Sequence, residues 1–109
     1  MIELHSVEKY DRTLIRAALA AALEPAGGFA GLLAGRERIV LKPNFVVPER
    51  ADRCATTHPD VYMTVATMLL ELGKTVTIAD SPAFGTTVRA IKLHRVQDEC
   101  RELGIDVLT

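Results

Sequence analysis

Three clusters of polar residues carry side chains that could do chemistry. Lys42 and Asn44 follow the apolar run at residues 39–41; Thr56, Thr57 and His58 precede Pro59; Asp80 and Ser81 follow the β-branched run at 75–79, with Gly85 just beyond. The Lys42 ammonium can hold a carboxylate or a phosphate. The Asn44 amide can orient a ligand, although Pro-Asn is also ordinary turn chemistry. Thr56, Thr57 and His58 stand where a helix begins, and unpaired N–H groups there attract anions. His58 can serve as a general base or metal ligand near neutral pH. Asp80 can pair with Lys42, bind a metal or accept from a substrate hydroxyl. Gly85, with Thr86 and Thr87, can approach an anion closely, though one glycine falls far short of a phosphate loop. Catalysis is therefore assigned to His58 and Asp80. Ligand binding is assigned to Lys42, Asn44, Thr56, Thr57, Ser81 and Gly85. No metal set is assigned, because His58 has no second ligand at a fixed spacing.

Each residue also has a plainer role. Lys42 can simply end a strand with its stem along apolar neighbours. Thr57 and Asp60 have capping-box spacing, yet Pro59 disfavours a helical residue before it, which favours His58 as the cap. Asp80-Ser81-Pro82 can cap the next turn. Cys54 can be a reactive thiol in the long loop or an inert one. Cys100 falls on a helix stripe and is expected in the core.

The elements that must position these residues alternate along the chain. Residues 2–7 read as a short edge strand, from partial alternation. Asp11 caps a helix whose stripe is Leu14, Ile15, Ala18, Leu19, Ala22 and Leu23, ended by Pro25. Residues 29–35 predict an irregular helical turn with Leu32 and Leu33 inward. Residues 39–42 predict a buried strand that stops at Pro43. A connection of about sixteen residues then leads to a helix at 59–72, with Tyr62, Val65, Ala66, Leu69 and Leu72 inward and Val61 and Met68 widening the stripe. Gly73 suits its C-cap. Residues 75–79 predict a strand. From Thr87 to Leu103 the stripe slips near Leu93, which predicts two short helices or a kinked one. Gly104 closes it, and residues 105–108 predict a last strand. The order β-α-β-α-β-α-β implies an α/β fold: an open, mostly parallel sheet of about four strands with helices on both faces. Ligands of such sheets bind beyond the carboxyl ends of the strands, where all three clusters fall.

Composition bounds the function. A chain of 109 residues makes one domain at 1–109, with an ordinary apolar fraction of 49% and charged fraction of 25%. A net charge of −1 and few aromatics argue against a nucleic-acid partner. No apolar run approaches a membrane span, and no basic leader opens the chain, so a cytoplasmic location is expected. Cys54 and Cys100 form neither a disulfide framework nor a cluster motif, so no cofactor is expected in this chain. Because the chain ends inside its last predicted strand, either a second half, a partner subunit or a homo-oligomer is expected to cover it.

Val40-Leu41-Lys42-Pro43-Asn44, Ala55-Thr56-Thr57-His58-Pro59-Asp60 and Ile78-Ala79-Asp80-Ser81-Pro82 with Gly85 together resemble the domain-of-unknown-function 362 family, in its N-terminal half. The resemblance implies an α/β domain often joined to, or encoded with, ferredoxin-type iron–sulfur modules. It implies an iron–sulfur cluster in a partner or C-terminal region, a ferredoxin-type partner and, for the complete protein, a redox-linked enzyme; the small anionic ligand is expected from the polar clusters at the strand ends. The family's second half, with a Lys/His-containing motif, and its cluster cysteines are not in this sequence. The alternative reading is a non-catalytic assembly module.

Overall fold

In the computed structural model, the described residues are Leu4, Ser6, 9–44, 57–80 and 86–108. The expected strand at 2–7, most of the long loop and the 81–85 turn lie outside them.

Helix α1 spans Arg12–Leu23. Asp11 starts it as predicted, its carboxylate accepting from the Thr13 and Leu14 N–H groups at 2.8 and 3.2 Å. Ile15 is buried and Ala18, Leu19, Ala22 and Leu23 are partly so, whereas Leu14 faces outward. Pro25 sits in a single 3-10 turn, Glu24–Ala26, and a short helix α2 follows at Gly28–Leu32. A Cβ on Gly31 would stand 2.2 Å from the Ala26 carbonyl oxygen, so only glycine permits this close return of the chain. Leu33 packs against the core, but Leu32 is exposed, contrary to expectation. A helix this short can turn only one side inward.

Strand β1 is Arg38–Leu41, β2 is Thr75–Ile78 and β3 is Asp106–Val107. They form a sheet in the order β1-β2-β3, parallel throughout, with Leu41 beside Ile78 and Ile78 beside Val107. Helix α3 spans Pro59–Glu71, α4 Thr87–Leu93 and α5 Gln97–Leu103. The α/β reading therefore stands. The predicted break near Leu93 is real: His94 caps α4, Arg95 turns at φ 62° and α5 begins at Gln97.

Ile39, Leu41, Val76, Ile78 and Val107 share one face and join Met63, Ala66, Leu69, Ala90, Ile91 and Cys100 in one core. Fully burying such aliphatic side chains stabilises by about 1.5–3 kcal/mol each. Arg38, Val40, Thr75 and Asp106 occupy the opposite face and are exposed, Val40 at 63%. Among the described residues the expected cover on two faces is realised on one. Right-handed crossovers that always advance in the same direction put every connecting helix on one side.

Helix α3 is buried more widely than its predicted stripe. Met63 is fully enclosed while Leu72 is largely exposed. The helix packs against β2 on one side and α1 on another, so two neighbouring strips of its surface are inside. Cys100 lies in the core as expected.

Candidate functional site

The parallel pairing sends β1 and β2 out of the sheet at the same edge. The Ala79 N–H still donates to the Leu41 carbonyl at 3.0 Å, so the ladder continues one residue beyond β2. Lys42 is exposed, Pro43 buried and Asn44 exposed, which continues the alternation of β1. This gives Lys42 the direction of Val40. No ion pair joins Lys42 to Asp80 among the described residues. The structure thus brings the two residues to one edge of the sheet.

The ends of β1 and β2 are each pinned by a threonine to the helix that follows. Asn44 donates its N–H to Thr57 Oγ1 at 2.9 Å, and Thr57 donates its own N–H to the Asn44 carbonyl at 2.8 Å. The Thr87 hydroxyl donates to the Asp80 carbonyl at 2.9 Å and accepts from the Asp80 N–H at 3.1 Å. Thr57 and Asn44 were both predicted site residues; Thr87 was noted only as a neighbour of Gly85. Thr56, Ser81, Gly85 and Cys54 lie outside the described residues.

His58 is the N-cap of α3, with φ −64° and ψ 137°. Its Nδ1 accepts from the Asp60 N–H at 3.1 Å. Pro59 has no N–H, and the Val61 N–H donates to the His58 carbonyl at 3.0 Å. The first donors of α3 are thus satisfied from within the chain. An accepting Nδ1 means the neutral ring carries its proton on Nε2. In this state His58 offers a ligand an N–H donor rather than a base. Its ring stacks on Tyr10, with centroids 3.7 Å apart and planes 5° from parallel.

Behind the cap, Asp60 accepts from Arg12 Nε at 2.9 Å, while Arg12 forks onto Glu99 with an Nη2–Oε1 distance of 3.0 Å. One guanidinium therefore joins α1, α3 and α5. The Glu99 hydrogen bond, opposed by partial burial and assisted by Asp60, raises the Arg12 pKa further. Nothing in the sequence announced this network, because its partners are 48 and 87 positions away. Deeper still, Tyr62 and His94 are hydrogen-bonded at 2.7 Å, Oη to Nδ1, between α3 and the end of α4. Burial pushes the Tyr62 phenol and the Cys100 thiol upward from their ordinary values.

Neither Lys42 nor Asp80 lines a described cleft. One of about 370 Å³ runs along Val88, Ile91, Cys100 and Val107; another of about 350 Å³ lies between Arg12, Thr67 and Leu103. Among the described residues no group of three or more His, Cys, Asp or Glu is placed to hold a metal. No helix among them is long and apolar enough to cross a membrane.

The chain is 34% identical over 85 residues to the "Thylakoid-associated protein sll1697" of Synechocystis sp. (strain ATCC 27184 / PCC 6803 / Kazusa). That alignment covers 78% of this chain and 26% of the relative, so the chain spans about a quarter of that protein's length. No solved structure matches. The family model "Domain of unknown function (DUF362)" matches residues 39–109, from β1 through the last strand. The chain belongs to that family.

Proposed function

We propose that the chain binds a small anionic ligand, or a ligand–metal pair, at the carboxyl ends of β1 and β2. In a family protein of greater length this edge would serve a redox-linked, iron–sulfur-associated enzyme with a ferredoxin-type partner. The observation that carries the ligand reading is the in-register parallel pairing of Leu41 with Ile78. It delivers Lys42, Asn44 and Asp80 to one edge, and Lys42 is exposed there. Lys42 would neutralise the anion, Asn44 would orient it and His58 would donate from Nε2. Asp80 would accept from a ligand hydroxyl or hold a cation. The buried free thiol of Cys100 supports a reducing, cytoplasmic setting. Calorimetric titration with inorganic phosphate and with a small dicarboxylate tests the site. Lys42→Ala is expected to weaken binding by about tenfold, near 1.4 kcal/mol. Unchanged affinity in both Lys42→Ala and Asp80→Ala would remove the basis of the proposal.

The open sheet face favours a second reading, an assembly module. Parallel sheets are ordinarily covered on both sides, yet Val40 and Leu108 are 63% and 55% exposed. Sedimentation over a range of concentrations, with a dye that reports apolar surface, separates the two. A monomer that binds no dye would end the assembly reading and leave the ligand reading intact.

A further inference from the structure

We infer that His58 is a proton-responsive latch on α3: neutral, it holds the Asp60 amide; protonated, it turns to the Asp60 carboxylate and releases the helix start. The geometry offers both positions to one nitrogen. His58 Nδ1 lies 3.1 Å from the Asp60 N and 3.8 Å from Asp60 Oδ2. Neutral Nδ1 is an acceptor and suits the amide. Protonated Nδ1 is a donor, cannot accept from the amide, and suits the carboxylate. Histidine is the side chain whose charge ordinarily changes between about pH 5 and about pH 8.

Several groups face His58 or the carboxylate beside it. On its own helix, Asp60 attracts the imidazolium. From α1, Arg12 already occupies Asp60 Oδ1 and opposes a second cation. From α5, Glu99 divides the Arg12 charge and softens that opposition. Tyr10 stacks on the ring and limits its motion to a turn within the stacking plane. The positive end of the α3 dipole disfavours a cation at its cap. Protonation therefore exchanges a cap for an ion pair. The first turn of α3 loosens, and with it the adjoining Thr57–Asn44 clamp.

Amide hydrogen exchange on the 109-residue chain, read residue by residue together with the His58 imidazole nitrogens, tests the latch. Between about pH 8 and about pH 5, the Asp60 amide should lose about fivefold in protection after correction for intrinsic rate, as expected for a lost cap. The loss should track protonation of His58. His58→Asn, whose side chain accepts at every pH in this range, should keep the protection and lose its pH dependence. Asp60 protection that stays constant across the range overturns the inference, whether or not His58 titrates. So does a His58→Asn chain with the pH dependence of the unaltered one. Both results are independent of any ligand.

Discussion

Asn44 and Thr57 hold each other through a closed pair of hydrogen bonds, 2.9 Å from the Asn44 N–H to Thr57 Oγ1 and 2.8 Å from the Thr57 N–H to the Asn44 carbonyl. The pair fastens the exit of β1 to the start of α3, and so fixes where Lys42 and His58 stand relative to one another. Thr57→Val keeps the shape and the main-chain bond but removes the hydroxyl acceptor. It should destabilise the fold by about 0.5–1.5 kcal/mol. Thr57→Ser should retain most of the stability. Urea denaturation of both variants, with hydrogen exchange at the Asn44 amide, reads the effect. Equal stability in the Val and unaltered chains would show the clamp to be incidental.

Arg12 makes a stronger claim on the fold, because it touches two carboxylates on two helices. The group is partly exposed, with 38% of its side-chain surface accessible, so solvent screens much of the attraction. Arg12→Gln should cost about 1–2 kcal/mol, more than a simple surface pair but less than a buried one. Moderate salt should shrink the difference. A double-mutant cycle with Glu99→Gln measures the coupling directly. Additive losses would mean that Arg12 contributes by packing its stem rather than by its charge.

These two contacts mark how far the sequence could be read. Periodicity located α3, and Pro59 with its effect on the preceding residue pointed to His58 as the cap; the structure agrees. The slipping stripe near Leu93 announced the break between α4 and α5. These are local rules, and they hold because neighbours along the chain decide them. The one-sided cover of the sheet was not legible, since it depends on the order of the strands and not on any one of them. Nor was the burial of Met63, which reflects two packing partners for one helix. The edge shared by Lys42 and Asp80 was foreseen, but their ion pairing was an assumption about neighbouring strand ends.

The alkaline limb of stability should be set inside the core. Burial raises the Tyr62 phenol from the ordinary value of 10.0, and likewise the Cys100 thiol from 9.0. Groups whose folded pKa is raised contribute stability that is fully present below the unfolded value and is lost as pH rises toward the folded one. Tm should therefore begin to fall above about pH 9. Tyr62→Phe should flatten that decline while lowering stability at neutral pH by about 1–2 kcal/mol, through loss of the hydrogen bond to His94. The check is a thermal melt at each pH, with phenolate absorbance followed in parallel. If the phenolate signal of Tyr62 develops in the folded chain well before unfolding, the buried phenol is not what limits alkaline stability.

The turn between α4 and α5 carries a conformation that its residue does not favour. Arg95 sits at φ 62°, where glycine is at ease and an arginine Cβ is crowded. The position is nonetheless fixed by what surrounds it. The Arg95 N–H donates to the Lys92 carbonyl at 3.0 Å, and the Val96 N–H donates to the Ile91 carbonyl at 3.3 Å, closing α4. Val96 is buried just beyond, so the turn cannot relax without moving the core. The Arg95 side chain itself is exposed, so its loss removes little packing. Arg95→Gly should therefore stabilise, by about 0.5–1 kcal/mol after allowing for the greater freedom of glycine in the unfolded chain. For a domain of this size that corresponds to a rise of about 2–6 °C in Tm. Arg95→Asn should fall between the two, since asparagine tolerates the same region. Calorimetry on the three chains decides the matter: a glycine variant less stable than the arginine chain would mean that the exposed guanidinium contributes more than the strain removes.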